Sequence, residues 1–102
     1  MHVISCRTLR EFAEKYSDSL ASLKTWHKVA DKAMWPDIAG VKAVYPHADA
    51  VRRCTVFNIG GNDFRLVVQI DFEAQVIYVK KVMTHAEYSR RNGTLWKKSC
   101  GC

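Results

Sequence analysis

Apolar residues recur at every third or fourth place in the first part of the chain and at every second place in the second part, so helices come first and strands follow. Leu9, Phe12, Ala13 and Tyr16 form one helical stripe, with Ser5 or Thr8 as the cap; Thr8-Leu9-Arg10-Glu11 fits a capping box. Ser17-Asp18-Ser19 breaks that helix and caps a second one, whose buried face is Leu20, Leu23, Trp26, Ala30 and Ala33 with Lys24, Lys28 and Lys32 outward. Trp35-Pro36-Asp37 ends it, because a residue before proline avoids helical angles. Asp37 caps a further turn or two over residues 38–45, Pro46 closes it, and 47–53 read as an exposed loop. Residues 55–59, 64–71 and 75–83 then read as three successive strands. Gly60-Gly61-Asn62-Asp63 is the first hairpin tip, since adjacent glycines supply the positive φ that a tight turn needs, and Phe72-Glu73-Ala74 is the second connection. His2-Val3-Ile4 is a short β-prone edge segment, and Thr84-His85-Ala86-Glu87 opens a short last helix by a second capping box.

The expected fold class is therefore α+β, with two N-terminal helices packed on a small twisted antiparallel sheet and a short C-terminal helix. One domain spans residues 1–91; Asn92-Gly93-Thr94 interrupts any helix, and 92–102 form a basic, flexible tail. A chain of 102 residues has no room for a second core.

Strand faces bring in the chemistry. Phe64, Leu66, Val68 and Ile70 share one face of the middle strand; Arg65, Val67, Gln69 and Asp71 share the other. Packing does not call for a guanidinium in mid-strand. As an exposed position, its loss would change stability by roughly 0.5 kcal/mol or less. On the next strand Tyr78, Lys80 and Val82 share a face, expected beside Arg65, with Ile77, Val79, Lys81 and Met83 opposite. His85 begins the last helix and Tyr88 follows three residues on, on the same side. Arg65, Lys80, His85 and Tyr88 thus make a cationic cluster with one proton carrier, which is what metal-free RNA cleavage requires. A base takes the 2′-hydroxyl proton, cations hold the charge gathering on phosphorus, and an acid protonates the departing oxygen. Asn58, Asn62, Lys81, Arg90 and Arg91 stand near enough in sequence to touch nucleic acid, although Asn58 and Asn62 also read as turn formers. Singly, His85 also fits a surface residue at a helix start, and Arg65 also fits a bridge to Asp71 or Glu73. His2, His27 and His47 belong to no constellation.

Composition narrows the classes. A hydrophobic share of 48% and a charged share of 25% are those of a globular protein, which excludes disorder throughout. The net charge of +6 is concentrated: residues 80–102 carry six Lys or Arg and one acid, against ten and nine in residues 1–79. A basic end on a nearly neutral body points to a polyanion, or else to a tail kept for solubility. The start lacks the apolar core of a signal peptide and no run reaches membrane-spanning length, so a cytoplasmic protein without membrane contact is expected. Cys6, Cys54, Cys100 and Cys102 are then expected as reduced thiols, and their spacing is no zinc signature. No metal and no cofactor are expected. The sequence holds no Gly-rich phosphate loop and no nucleophile elbow.

Met1-His2-Val3-Ile4-Ser5, the run Val56-Phe57-Asn58-Ile59-Gly60-Gly61-Asn62, Arg65-Leu66-Val67 and Thr84-His85-Ala86-Glu87-Tyr88, in that order, resemble the HigB toxin family of the RelE/ParE superfamily of bacterial type II toxin–antitoxin systems. The resemblance covers roughly residues 1–91. It implies a RelE-like fold and a metal-independent endoribonuclease, an mRNA interferase that cuts mRNA on the ribosome and so inhibits translation and growth. It also implies a cognate helix-turn-helix antitoxin, HigA-like, as partner. The family's basic strand positions fall on Arg65 and Lys80, and its terminal His and Tyr on His85 and Tyr88. Phe64 stands where the family often has Tyr, and the end with Trp96, Cys100 and Cys102 matches nothing in the family pattern. Two other readings stay open at this stage, a gyrase-poisoning toxin on the same scaffold and a non-catalytic RNA-binding module. The outward Lys, Glu and Asp of residues 8–33 offer the antitoxin a contact surface.

Overall fold

A computed structural model describes residues 1–4, 6–51, 53–60 and 63–89. Strand β1 (His2–Ile4) leads into α1 (Cys6–Lys15), a single 3₁₀ turn (Ser17–Ser19), α2 (Leu20–Lys32) and α3 (Ile38–Val44). Four strands follow, β2 (Asp49–Val51), β3 (Cys54–Ile59), β4 (Phe64–Asp71) and β5 (Val76–Thr84), and α4 (His85–Ser89) comes directly after them. The sheet order is β1-β5-β4-β3-β2. Strands β2 to β5 form an antiparallel meander, and β1 joins β5 in parallel, His2 opposite Val76 and Ile4 opposite Tyr78. The sheet is thus mixed, where a purely antiparallel one was expected. A parallel neighbour needs a long crossover, and the helical first part of the chain supplies it.

The helices cover one sheet face. Leu9 and Ala13 of α1, Leu23, Trp26 and Ala30 of α2, and Val41 of α3 meet Phe57, Leu66, Val68, Ile77 and Val79 in the main core. Trp26 and Phe57 are wholly buried and meet edge to face, ring centroids 5.5 Å apart. A second, smaller cluster lies on the other face, where Cys54, Val56, Val67 and Met83 are buried and Val51 and Tyr88 pack against them.

Three local departures from the sequence reading have physical causes. Helix α1 begins at Cys6, so Thr8 lies within it rather than at the cap position; Ser5 lies outside the described residues. Ser19 precedes α2 but turns its hydroxyl back to the Tyr16 carbonyl at 2.7 Å, a local bond that competes with capping. Residues 49–51 pair with β3 as an edge strand, which three residues with two exposed side chains are too few to announce by alternation. Elsewhere the punctuation acted as expected. The Asp37 carboxylate accepts from the Gly40 amide at 3.0 Å, and Gly60 opens the β3–β4 turn at φ 64°. Gln75 also takes a positive φ, 58°, and its side-chain amide donates to the Phe72 and Trp35 carbonyls at 2.7 and 2.8 Å. Those two bonds offset the steric cost of a left-handed angle in a residue with a Cβ.

Candidate functional site

Strand β4 sets the centre of the site. Alternation sends Phe64, Leu66 and Val68 into the main core and turns Arg65 and Val67 to the opposite face. That face is not the open surface expected for it. Its flanking positions carry Val56, Val67, Met83 and Cys54, so Arg65 is embedded, with only 7% of its surface exposed. Its side chain bends back to its own strand, where Nη1 donates to the Phe64 carbonyl at 3.2 Å.

Strand β5 delivers the second group. It ends at Thr84 opposite Phe64, and His85 starts α4 at that point, its backbone amide held by the Asp63 carbonyl at 2.8 Å. The exposed His85 ring thereby comes within reach of β4, and Arg65 Nη2 lies 3.0 Å from His85 Nδ1. A guanidinium has donors only, so Nδ1 accepts and the ring proton sits on Nε2. One turn on, the Tyr88 ring packs over the guanidinium at 5.5 Å, a cation–π contact that holds the arginine from its other side. Arg65, His85 and Tyr88, chosen from sequence, do converge.

Lys80 does not join them, because β5 carries a bulge. Val67 pairs with Lys81 but Val68 pairs with Val79, which leaves Lys80 as the extra residue. Beyond it every side chain changes face relative to simple alternation. Val82 is in the main core and Met83 in the outer cluster, the reverse of the expected assignment for both. The Lys80 ammonium lies over the Tyr78 ring at 5.9 Å. Together with Lys81, Val82, Glu11, Phe12 and Lys15 it lines a shallow cleft of about 260 Å³ between α1 and β5. Lys81, opposite Val67, stands on the Arg65 face, and Asn58 stands directly opposite Arg65 across the β3–β4 ladder. Asn62, Arg90 and Arg91 lie outside the described residues, as does the tail with Cys100 and Cys102.

Sequence reasoning missed two features of the site. One is the burial of Arg65, which the apolar run of outward positions in β3, β4 and β5 does signal. The other is the state of Cys54, which is disulfide-bonded where a reduced thiol was expected. Spacing along the chain carries no information about which cysteines the fold brings together. Among the described residues no three His, Cys, Asp or Glu side chains converge as metal ligands, and no helix is long and apolar enough to cross a membrane.

A small α+β domain with a guanidinium–imidazole pair at the end of its central strands has known relatives. The family described as HigB toxin, RelE-like toxic component of a toxin-antitoxin system, matches residues 19–91. The mRNA interferase toxin HigB of Escherichia coli strain K12 is 36% identical over 91 residues, covering 86% of this chain and 88% of that protein. The mRNA interferase HigB of Shigella flexneri matches to the same extent. The mRNA interferase HigB of Escherichia coli O6:H1 is 27% identical over 93 residues, 88% of this chain and 90% of that protein. The chain belongs to the HigB toxin family.

Proposed function

We propose that this protein is the toxin of a type II toxin–antitoxin system and an endoribonuclease that cleaves mRNA, with Arg65, His85 and Tyr88 as its reacting centre. The observation that carries the assignment of residues is the 3.0 Å contact between Arg65 and His85. With Nδ1 accepting from Arg65 and Nε2 protonated, the resting imidazole has no lone pair to spare. An incoming phosphodiester changes that, because its anionic oxygens are stronger acceptors for a guanidinium than a neutral ring nitrogen. Arg65 turns to the scissile phosphate, and Nδ1 becomes free to take the 2′-hydroxyl proton. The 2′-oxygen then forms its bond to phosphorus as the bond to the 5′-oxygen breaks. The imidazolium returns a proton to the departing oxygen, leaving a 2′,3′-cyclic phosphate and a 5′-hydroxyl. Tyr88 holds the guanidinium in its plane or stacks on a base. Lys81 and Asn58 contact the strand beside it; Lys80, with Lys15 across the α1–β5 cleft, attracts the backbone further out.

Three reacting groups are a sparse set, which favours a substrate positioned by something else. The proposed target is therefore mRNA held on the ribosome, in the cytoplasm, with an HigA-like helix-turn-helix antitoxin as the neutralising partner. The test is primer extension on a message with and without its translation. Cleavage confined to the translated message is expected. Efficient multiple-turnover cutting of short free RNA by purified protein would sink the ribosome requirement; supercoiling defects without RNA cleavage would favour gyrase poisoning instead.

A further inference from the structure

Among the described residues, five large apolar side chains are left exposed: Ile4, Leu20, Met34, Val44 and Tyr78. Leu20, expected in the core, and Val44 lie on α2 and α3, and Met34 follows α2. Ile4 and Tyr78 differ from these, because the sheet sets them side by side. Val3, Ile77 and Val79 turn into the main core, so alternation sends Ile4 and Tyr78 to the opposite face. The parallel β1–β5 register then pairs them directly. Ile4 is 43% exposed and Tyr78 38%, and neither belongs to either apolar cluster.

That face is the Arg65 face. Tyr78 pairs with Gln69 of β4, four residues and about 13 Å along the strand from Arg65. Lys81, opposite Val67, stands between them. The bulge residue Lys80 holds its ammonium 5.9 Å from the centre of the Tyr78 ring. One side of the sheet therefore runs from a guanidinium–imidazole pair, past two ammonium groups, to an open aromatic ring.

We propose that Tyr78 is a stacking platform for a base of the RNA strand, a short way along from the nucleotide cut at Arg65, with Ile4 as the apolar border of that base. The proposal rests on the endoribonuclease reading and adds a residue that binds the strand without touching the reacting atoms. Every nucleobase has a π-face, so one exposed ring supplies affinity with little regard for sequence. In the free protein the Lys80 ammonium attends the ring. The phosphate next to a stacked base is a stronger partner for that ammonium than a neutral ring, so Lys80 moves to the phosphate and leaves the ring to the base. A second copy of this chain is a poorer occupant, because it sets a net charge of +6 against another. An acidic protein surface matches the lysines too, but only a polynucleotide also accounts for the line that joins Tyr78 to the Arg65–His85 pair.

The probe is a short single strand of 2′-O-methyl RNA, which keeps bases and phosphates but has no 2′-hydroxyl to react. Its binding to the full chain is read by fluorescence anisotropy at several salt concentrations. Tyr78→Ala should bind about tenfold more weakly, the scale of one stacked base, while Tyr78→Phe and Tyr78→Trp stay within twofold of wild type. The salt dependence should be unchanged in Tyr78→Ala and shallower in Lys80→Ala, since only the ammonium displaces counterions. On the same strand made without bases, Tyr78→Ala and wild type should bind alike, which a merely structural role for the ring would not produce. Unchanged affinity in Tyr78→Ala, or an equal loss in Tyr78→Phe, overturns the proposal. So does an equal loss on the strand without bases, or a wild type that fails to bind the strand at low salt. Unchanged RNA affinity in Tyr78→Ala beside weakened antitoxin binding or a dissolved dimer overturns it too, and assigns the face to a protein. Should Tyr78→Ala lower the melting temperature, Tyr78→Thr, which restores strand preference, decides by the same criteria. Tyr78-dependent binding by a wild type that cuts no message leaves the platform standing and removes the nuclease reading; cleavage of message with Tyr78-independent binding does the reverse.

Discussion

At the scale of single residues, Arg65 does two jobs that pull on the same side chain. Its stem fills part of the outer cluster and its guanidinium holds His85 Nδ1 and the Tyr88 ring. Arg65→Ala should therefore destabilise by about 1–3 kcal/mol, through lost packing and unpaired neighbours, well above the cost of a surface change. It should also slow cleavage on the order of 10²–10³-fold, the usual loss for one preorganised charge-stabilising group. Thermal melts and a growth assay on the same preparation separate the two effects. His85 offers a sharper test. In His85→Asn the amide oxygen can replace Nδ1 as acceptor for Arg65 but cannot carry a proton between oxygens. We expect near-wild-type stability and no growth inhibition; full activity in His85→Asn would reduce His85 to an anchor for Arg65. The double Arg65→Ala, His85→Ala variant should be no slower than the slower single one, since groups serving one transition state are not additive. Tyr45 gives a pH signature of folding. Burial against the core raises its phenol above the ordinary value of 10.0, so the unfolded chain releases that proton first. The contribution is intact below pH 10 and is lost as pH rises toward the folded-state value. Tyr45→Phe should flatten this part of the alkaline unfolding profile.

At the scale of elements, the β5 bulge decides which lysine faces the site. Removing Lys80 altogether restores plain alternation without changing any observed pair. Val79 stays opposite Val68, and Lys81 stays opposite Val67. The shortened protein should fold with its sheet intact, and circular dichroism with a melt would check this; loss of cooperative unfolding would mean that the bulge is required for closure of the outer cluster. The β3–β4 turn is less forgiving. Gly60 sits at φ +64°, and a Cβ there would lie 3.1 Å from Phe64 Cδ2. Gly60→Ala should cost roughly 1–2 kcal/mol, several degrees in melting temperature for a domain of this size. These two places also mark what the sequence can and cannot convey. A glycine pair between β-prone runs announces its turn, and the Asp37 cap, the strand 64–71 and, one residue early at each end, the strand 75–83 were legible for similarly local reasons. A bulge has no residue signature of its own. Residue 80 looked like an ordinary member of an alternating strand, so every face assigned beyond it was reversed. Edge strand β2 was invisible because three residues carry no period.

At the scale of the whole molecule, the two faces of the sheet are specialised. Helices cover one face; the other holds the Arg65 cluster, a small apolar patch and α4. The location of that cluster was readable from the alternation in β4 and from the short helix expected directly after β5. Its depth was not, because burial on the second face depends on α4 folding back over β4 and β5 through Tyr88. A nearly neutral stretch over residues 1–79 with cations gathered in residues 80–102 should also make target association salt-sensitive. Growth inhibition by charge-reversal at Lys81 should drop more than by reversal at Lys42, which is exposed on α3 away from the β4–β5 face. Equal loss at the two positions would assign the effect to net charge alone.

The parallel pairing of the first strand with the last has a consequence for how the toxin comes into being. Residues 2–4 leave the ribosome early, and the strand that receives them, residues 76–78, leaves late. A growing chain can form α1, α2 and the β3–β4 hairpin, but its sheet stays open at one edge and Arg65 has no His85 to meet. Nascent chains stalled before residue 76 should remain protease-sensitive throughout, whereas release of the finished chain should bring protection and activity together. Fragments that end before residue 76 are therefore expected to lack toxicity, which growth assays on truncated chains would check.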